Sequence, residues 1–187
     1  MTLLPLGILA SSGGEAGAFE LIQSTVLAST ANTITFSSIP ATYKHLQLRI
    51  ISKTTDASAS GYMLIRLNND SGANYSYHYL YGYGSGVASS GSSGTSFGGI
   101  LFMNGNDVGS SAFSPNIIDI HDYADTNRYK TLRNLGGRAN GSTGSSQVHL
   151  LSGNWRSTSA VNRIDFAFGD GTNLSVGTRF SLYGIKG

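Results

Sequence analysis

The sequence predicts an all-β protein: a single β-sandwich, jelly-roll-like, preceded by an extended N-terminal arm. Three observations carry that prediction. Tyr75, Tyr77, Tyr79, Tyr81 and Tyr83 stand at every second position, and a strand puts such a set on one face where a helix would scatter it. From Phe19 onward the chain reads as short segments separated by turn residues, the pattern of sandwiches and barrels. No stretch sustains a 3.6-residue apolar period, so helix is expected to be marginal.

The elements follow in order. Residues 1–17 form the expected arm and tether. Leu3, Leu4, Leu6, Ile8 and Leu9 are interrupted by Pro5 and Gly7 and followed by Ser11-Ser-Gly-Gly14. Pro and Gly prevent a stable helix here, so the segment reads as a sticky extended peptide that docks on a neighbouring subunit. The other reading is an extra edge strand on its own domain. Residues 18–187 form the expected sandwich domain. Phe19–Ala28 and Asn32–Ile39 are read as neighbouring strands across the Ser29-Thr-Ala31 turn, with Pro40 ending the second. Lys44–Lys53 alternates clearly, with Leu46, Leu48 and Ile50 inward and Gln47 and Arg49 outward. Tyr62–Asn68 precedes the turn Asn68-Asn-Asp-Ser-Gly72, and the tyrosine strand Asn74–Tyr83 follows. Gly84–Gly99, mostly Gly and Ser, is expected to be a long surface loop, since it has too little apolar area to offset ordering entropy. Strands resume at Ile100–Asn104, Asn116–Tyr123, Tyr129–Leu135, Gln147–Trp155, Val161–Phe168 and Thr178–Ile185, with Gly136–Ser146 as a further loop.

Composition narrows the function. The 187 residues give room for one domain with a real core. Charged residues make up 12% of the chain, against about 25% in ordinary soluble domains. Sparse charge suits surfaces that pack together, because few ions need desolvating. The net charge is +2 and the twelve basic residues are scattered, whereas a nucleic-acid binder carries a clustered basic stripe. There is no cysteine, which excludes disulfides and thiolate metal sites. No apolar run approaches the ~20 residues of a membrane-spanning helix. The N-terminal apolar stretch lacks the basic n-region of a secretory signal.

No constellation of residues points to a reaction. Asp119 and His121 share a strand face near Asp122 and Asp125, but two ligands on one strand fall short of a zinc site. No Gly-x-Ser-x-Gly lies between a strand and a helix. The oxygen-rich loops at Asn68–Gly72 and Gly169–Asn173 lack the ordered spacing of a calcium loop. No enzymatic activity, cofactor or metal is therefore expected. The candidate contact surface is the tyrosine face with Trp155, the lone tryptophan, read either as core or subunit interface or as an exposed glycan platform. Five hydroxyls are hard to satisfy in one dry core, so part of the face should meet water or a partner.

The body resembles a group of tailed-bacteriophage virion proteins, variously minor structural, tail-fibre-like or decoration proteins. The segments that carry the resemblance are Tyr43-Lys-His-Leu-Gln-Leu-Arg-Ile50, Leu64-Ile-Arg-Leu-Asn68, Ser71-Gly-Ala-Asn-Tyr-Ser-Tyr-His-Tyr-Leu-Tyr-Gly82, Ser152-Gly-Asn-Trp-Arg156 and Gly177-Thr-Arg-Phe-Ser-Leu-Tyr-Gly-Ile-Lys-Gly187. The apolar leader before a Gly/Ser tether is also typical of the group. The resemblance implies an all-β virion component, made in the host bacterial cytoplasm, with other virion proteins such as the major capsid protein or tail components as partners. Capsid decoration or cementing, anchored by the arm, is the first expectation. A tail-associated adhesin binding host glycans is the alternative, and a glycan hydrolase the remote one. Homo-oligomerisation is expected, with a trimer favoured, since identical subunits close symmetrically.

Overall fold

The computed structural model describes residues 18–139, 141, 146–168 and 172–187. The arm residues Leu3, Leu4, Leu6, Ile8 and Leu9 lie outside the described residues. Twelve strands are described: β1 (Phe19–Val26), β2 (Thr33–Phe36), β3 (His45–Ser52), β4 (Ser60–Leu67), β5 (Tyr75–Tyr83), β6 (Gly86–Thr95), β7 (Ile100–Asn104), β8 (Ser114–His121), β9 (Lys130–Arg138), β10 (Gln147–Trp155), β11 (Ile164–Ala167) and β12 (Arg179–Ile185). Among the described residues the only helical element is a single 3-10 turn, Asn106–Val108.

Two antiparallel sheets pack together as a β-sandwich. The larger has eight strands in the order β1-β12-β3-β8-β9-β10-β5-β6, and the smaller four in the order β2-β11-β4-β7. Period-two alternation builds the layer between them. Leu46, Leu48 and Ile50 of β3 are buried, while Arg49 and Ile51 face outward. On the smaller sheet Ile34 and Phe36 of β2 and Ile164 and Phe166 of β11 face the same core. Phe180 of β12 packs across it with its ring tilted against both neighbours, the centroids 5.1 Å from Phe166 and 6.5 Å from Phe36. The strand Thr178–Ile185 thus sits inside the sheet, with β12 between β1 and β3.

Two expectations are corrected. The segments around Phe19–Ala28 and Asn32–Ile39 are not hairpin neighbours, because β1 lies at the edge of the larger sheet and β2 at the edge of the smaller. Between them the chain crosses from sheet to sheet and pairs with the 174–178 segment as it goes: Leu27 donates to Thr178 O at 2.9 Å, and Leu174 to Ala31 O at 2.8 Å. A short connection that reads as a hairpin turn is here a sandwich corner. Gly84–Gly99 is not a loop throughout. Tyr83 pairs with Gly86, so Gly84 and Ser85 form a two-residue turn, and β6 runs back along β5. Gly84 has φ +53°, the left-handed conformation that glycine supplies. Most of β6 is exposed, so backbone pairing to a strand already held by β10 orders it, rather than apolar burial.

Close backbone approach ties the sheets together beside β6. After it, Gly98 donates to Ile65 O of β4 at 2.8 Å and passes over the inner surface of β10. A Cβ at Gly153 would lie 2.1 Å from Gly98 O and 2.0 Å from the Leu132 side chain. Only glycine fits at position 153.

Candidate functional site

The tyrosine row occupies the inner side of β5 and grades from core to open. Tyr75 is fully buried, Tyr77, Tyr79 and Tyr81 are half-buried, and Tyr83 is 43% exposed. Trp155 is also buried. It pairs with Tyr75 across β10 and β5, their rings stacked at 6.1 Å. Its indole Nε1 donates to Asp70 at 2.6 Å, and Asp70 also accepts from Gly72 N and Asn74 Nδ2. Burial pushes the Asp70 carboxyl up, but these hydrogen bonds outweigh it and hold the group below its ordinary value. The Asn68–Gly72 turn therefore spends its oxygens internally. Asn68 Oδ1 accepts from the amides of Asn162 and Arg163.

The remaining rings pack on one another. Tyr77 stacks on Phe97 at 5.5 Å and on Tyr79 at 6.2 Å. Tyr79 meets Tyr81 at 5.8 Å and Phe102 of β7 at 5.5 Å, and Tyr81 meets Tyr83 at 5.4 Å. This ladder covers the inner surface of β5 at the edge of the four-stranded sheet. It joins neither Tyr75 nor Trp155 to an open platform: those two lie in the core, and only the Tyr79–Tyr83 end opens, into a cleft shared with Ser60, Phe102, Arg138 and Gln147.

A polar cluster lies buried behind Phe102. His149 Nε2 is 3.0 Å from both Asn116 Oδ1 and Asn134 Nδ2, and Asn134 Nδ2 donates to Asn116 Oδ1 at 3.1 Å. Burial pushes His149 down to about 4, with Arg138 adding repulsion, so the ring is neutral at ordinary pH. A Cβ at Gly136 would fall 2.2 Å from Asn116 Oδ1, which seals the cluster from that side. Lys130 is buried as well, its ammonium donating to the carbonyls of Asp125, Arg128 and Thr158. These groups pin strands and loops together. On the surface, Asp119 binds Arg133 at 2.8 Å and Gln47 at 2.9 Å, and Asp122 pairs with Lys44 at 2.9 Å. Among the described residues no three His, Asp or Glu side chains converge so as to hold a metal ion.

The outer face of the eight-stranded sheet carries the feature that sequence reasoning missed. Leu80, Leu150, Leu135 and Ile117 are successive cross-strand partners on β5, β10, β9 and β8. They are 47%, 46%, 54% and 41% exposed. In the adjoining row Val87 and Val148 flank Gly82, and both valines stand out into solvent. A groove of about 200 Å³ runs among these side chains. Past Ile117 the row reaches Arg49, whose guanidinium lies 4.8 Å over the Tyr183 ring and 5.2 Å over Phe19. On the other side runs a polar row, Ser152, Arg133, Asp119 and Gln47, with the Arg133–Asp119 ion pair closed within it.

The chain matches no protein-family model, no curated protein and no solved structure. Its chemistry is therefore read from its surfaces. The described residues form a sandwich whose broad face is apolar and uncharged along one line. No helix among them is long and apolar enough to cross a membrane.

Proposed function

We propose that this chain is a non-enzymatic structural component of a bacteriophage virion, placed on the particle exterior as a capsid decoration or cement protein. The assembly role rests on one observation: the uncharged apolar row Leu80–Leu150–Leu135–Ile117 laid across four neighbouring strands of one sheet. Contiguous exposed apolar surface of more than a few hundred Å² marks a contact site in soluble proteins. The virion setting rests on the resemblance of the segments named above. In this reading Leu3, Leu4, Leu6, Ile8 and Leu9 anchor the protein to the shell, and no cofactor is needed.

A tail-adhesin reading draws on a different observation, the open cleft beside Tyr81, Tyr83, Arg138 and Gln147. Sugars stack on free aromatic faces, and here the rings are occupied by one another. Decoration is the better-supported role.

The test is to purify virions of the phage that carries this gene, detect the protein by mass spectrometry and map it by cryo-electron microscopy. Density on the head shell fulfils the proposal. Absence from the particle overturns it, and tail-tip density together with glycan-array binding replaces it with the adhesin. A chain lacking residues 2–12 is expected to fold but to be missing from particles; normal occupancy would remove the anchoring role of the arm.

A further inference from the structure

The outer face of the eight-stranded sheet exposes a row of apolar side chains, and its chemistry restricts what can cover it. The line from Leu80 through Leu150 and Leu135 to Ile117 carries no charge. The charges bordering it are already committed: Arg133 to Asp119, Asp119 also to Gln47, and Arg49 to Gln47 and to two aromatic rings. Arg133 and Asp119 cancel, and Arg49 is the one charge of the row without a counter-ion, at its far end, too little to draw a strongly acidic or basic partner. Its relief alternates. Val87 and Val148 project on either side of Gly82, where a Cβ would find its nearest neighbour, Val148 Cγ1, 3.8 Å away. Knobs thus stand beside a notch on the same face.

We propose that this face binds the same face of a second copy of the chain, about a two-fold axis. The inference rests on the assembly role proposed above and names its partner. A two-fold contact demands a self-complementary surface, and three properties of this one meet the demand. Its central line is apolar, so it matches itself. Its bordering ion pair, Arg133–Asp119, closes in the plane of the sheet, and the unpaired Arg49 stands at the far end of the row from Leu150 and Leu135. Its valine knobs and glycine notch let opposed sheets interdigitate at the ~10 Å spacing of face-to-face packing. The extent is also adequate: six side chains expose roughly 500 Å² of apolar surface, the upper end for a soluble monomer. A stable interface takes about 800 Å² from each partner, so the apolar row supplies the larger share and the polar border the rest. A two-fold pair also differs from the trimer expected from the low charge, the tyrosine row and the Gly/Ser segments, because a single flat face paired with itself closes at two.

Sedimentation of the full-length protein from nanomolar to high micromolar concentration tests the proposal. A monomer–dimer equilibrium is expected, with Leu150→Glu and Leu135→Glu each weakening it about 100-fold or more, as central contacts do when every change enters twice. Both side chains face solvent in the monomer, so both variants should keep the parent's circular dichroism and melting behaviour. Val176→Glu, an equally exposed apolar position off this face, should leave the equilibrium unchanged. A parent that is monomeric throughout overturns the proposal. So does a dimer indifferent to Leu150→Glu and Leu135→Glu, which assigns the contact to another surface. If the parent is monomeric but the full chain bearing Leu6→Glu and Ile8→Glu dimerises, the occupant is the chain's own N-terminal segment instead. None of these outcomes depends on finding the protein in virions, and absence from virions leaves the sedimentation result standing.

Discussion

The Tyr75 hydroxyl meets Leu67 twice, accepting from its amide at 3.0 Å and donating to its carbonyl at 3.1 Å. Tyr75 belongs to the larger sheet and Leu67 to the smaller, so one phenol satisfies two buried backbone groups and fastens the sheets beside the β4–β5 turn. Burial pushes the phenol well above its ordinary range, so it stays protonated and keeps both bonds. Tyr75→Phe should orphan the buried Leu67 amide, while the Leu67 carbonyl keeps the Asp70 N–H at 3.0 Å, and should cost about 1–3 kcal/mol, read by urea unfolding. Tyr83→Phe, at the open end of the same row, should leave the midpoint unchanged. Equal effects at the two positions would refute the gradient of roles along the ladder.

Trp155 and Asp70 give a second staple with its own reporter. As the only tryptophan, Trp155 dominates the fluorescence, and its buried indole should emit to the blue and shift red on unfolding. Asp70→Ala leaves the indole N–H without its acceptor and should cost about 1–3 kcal/mol. An unchanged unfolding midpoint would show that water replaces the carboxylate at no cost.

His149 sets a pH dependence. The ring is held neutral in the fold, down to about 4, while the unfolded chain takes up the proton near the ordinary value of 6.5. The unfolded state therefore binds more protons in this window, and stability falls as pH drops from about 6.5 to about 4, by about 3 kcal/mol in all. Below that range both states are protonated and this loss ends. Asp70, Asp119 and Asp122 act in a separate, more acid window, since their lowered carboxyls give up stability only below their ordinary value. Stability measured by urea titration between pH 7 and 4 should lose most of its slope in His149→Gln. An equal slope in that variant would place the coupling elsewhere.

Phe180→Ala removes a fully buried ring packed on Phe36 and Phe166 and should cost about 3–5 kcal/mol. Tyr183→Phe should be tolerated, because its ring faces outward beneath Arg49. A calorimetric melting temperature unmoved by Phe180→Ala would contradict the central position of β12.

Gly153→Ala should destabilise by at least about 1–3 kcal/mol, since the Cβ meets the Gly98 backbone, which cannot rotate away. Gly82→Ala, on the open face, should be nearly neutral for folding. Thermal melts of the two variants compare them directly.

Much of the fold could be read from period-two alternation. Leu46, Leu48 and Ile50 point inward as their spacing requires, and the five tyrosines share a face. Spacing cannot say which neighbours that face meets, because the graded exposure of the row depends on how far the smaller sheet reaches. The strand β6 was illegible by composition: its order comes from pairing with β5, and Gly84-Ser85 directly after an alternating strand was the available turn signal. The outer apolar row escaped for the opposite reason. Leu135, Leu150 and Ile117 read as core by hydropathy, whereas the inward positions beside them hold Asn134, His149 and Asn116. Only the register of four strands reveals that the polar residues are inside and the apolar ones out.

The placement of β12 bears on the order of events during synthesis. Because β12 is the only sheet neighbour of β1, β1 cannot settle into its final position until Arg179–Ile185 has left the ribosome, while β3 has only β8 to pair with until then. Throughout translation Leu46, Leu48 and Ile50 lack their neighbouring strand on that side, and the closing contacts join residues at opposite ends of the described chain, such as Phe19 with Ile185. Such non-local pairing is slow to form and exposes sticky edges meanwhile. The folding yield of this protein is thus tied to how quickly β12 is captured between two strands that were made long before.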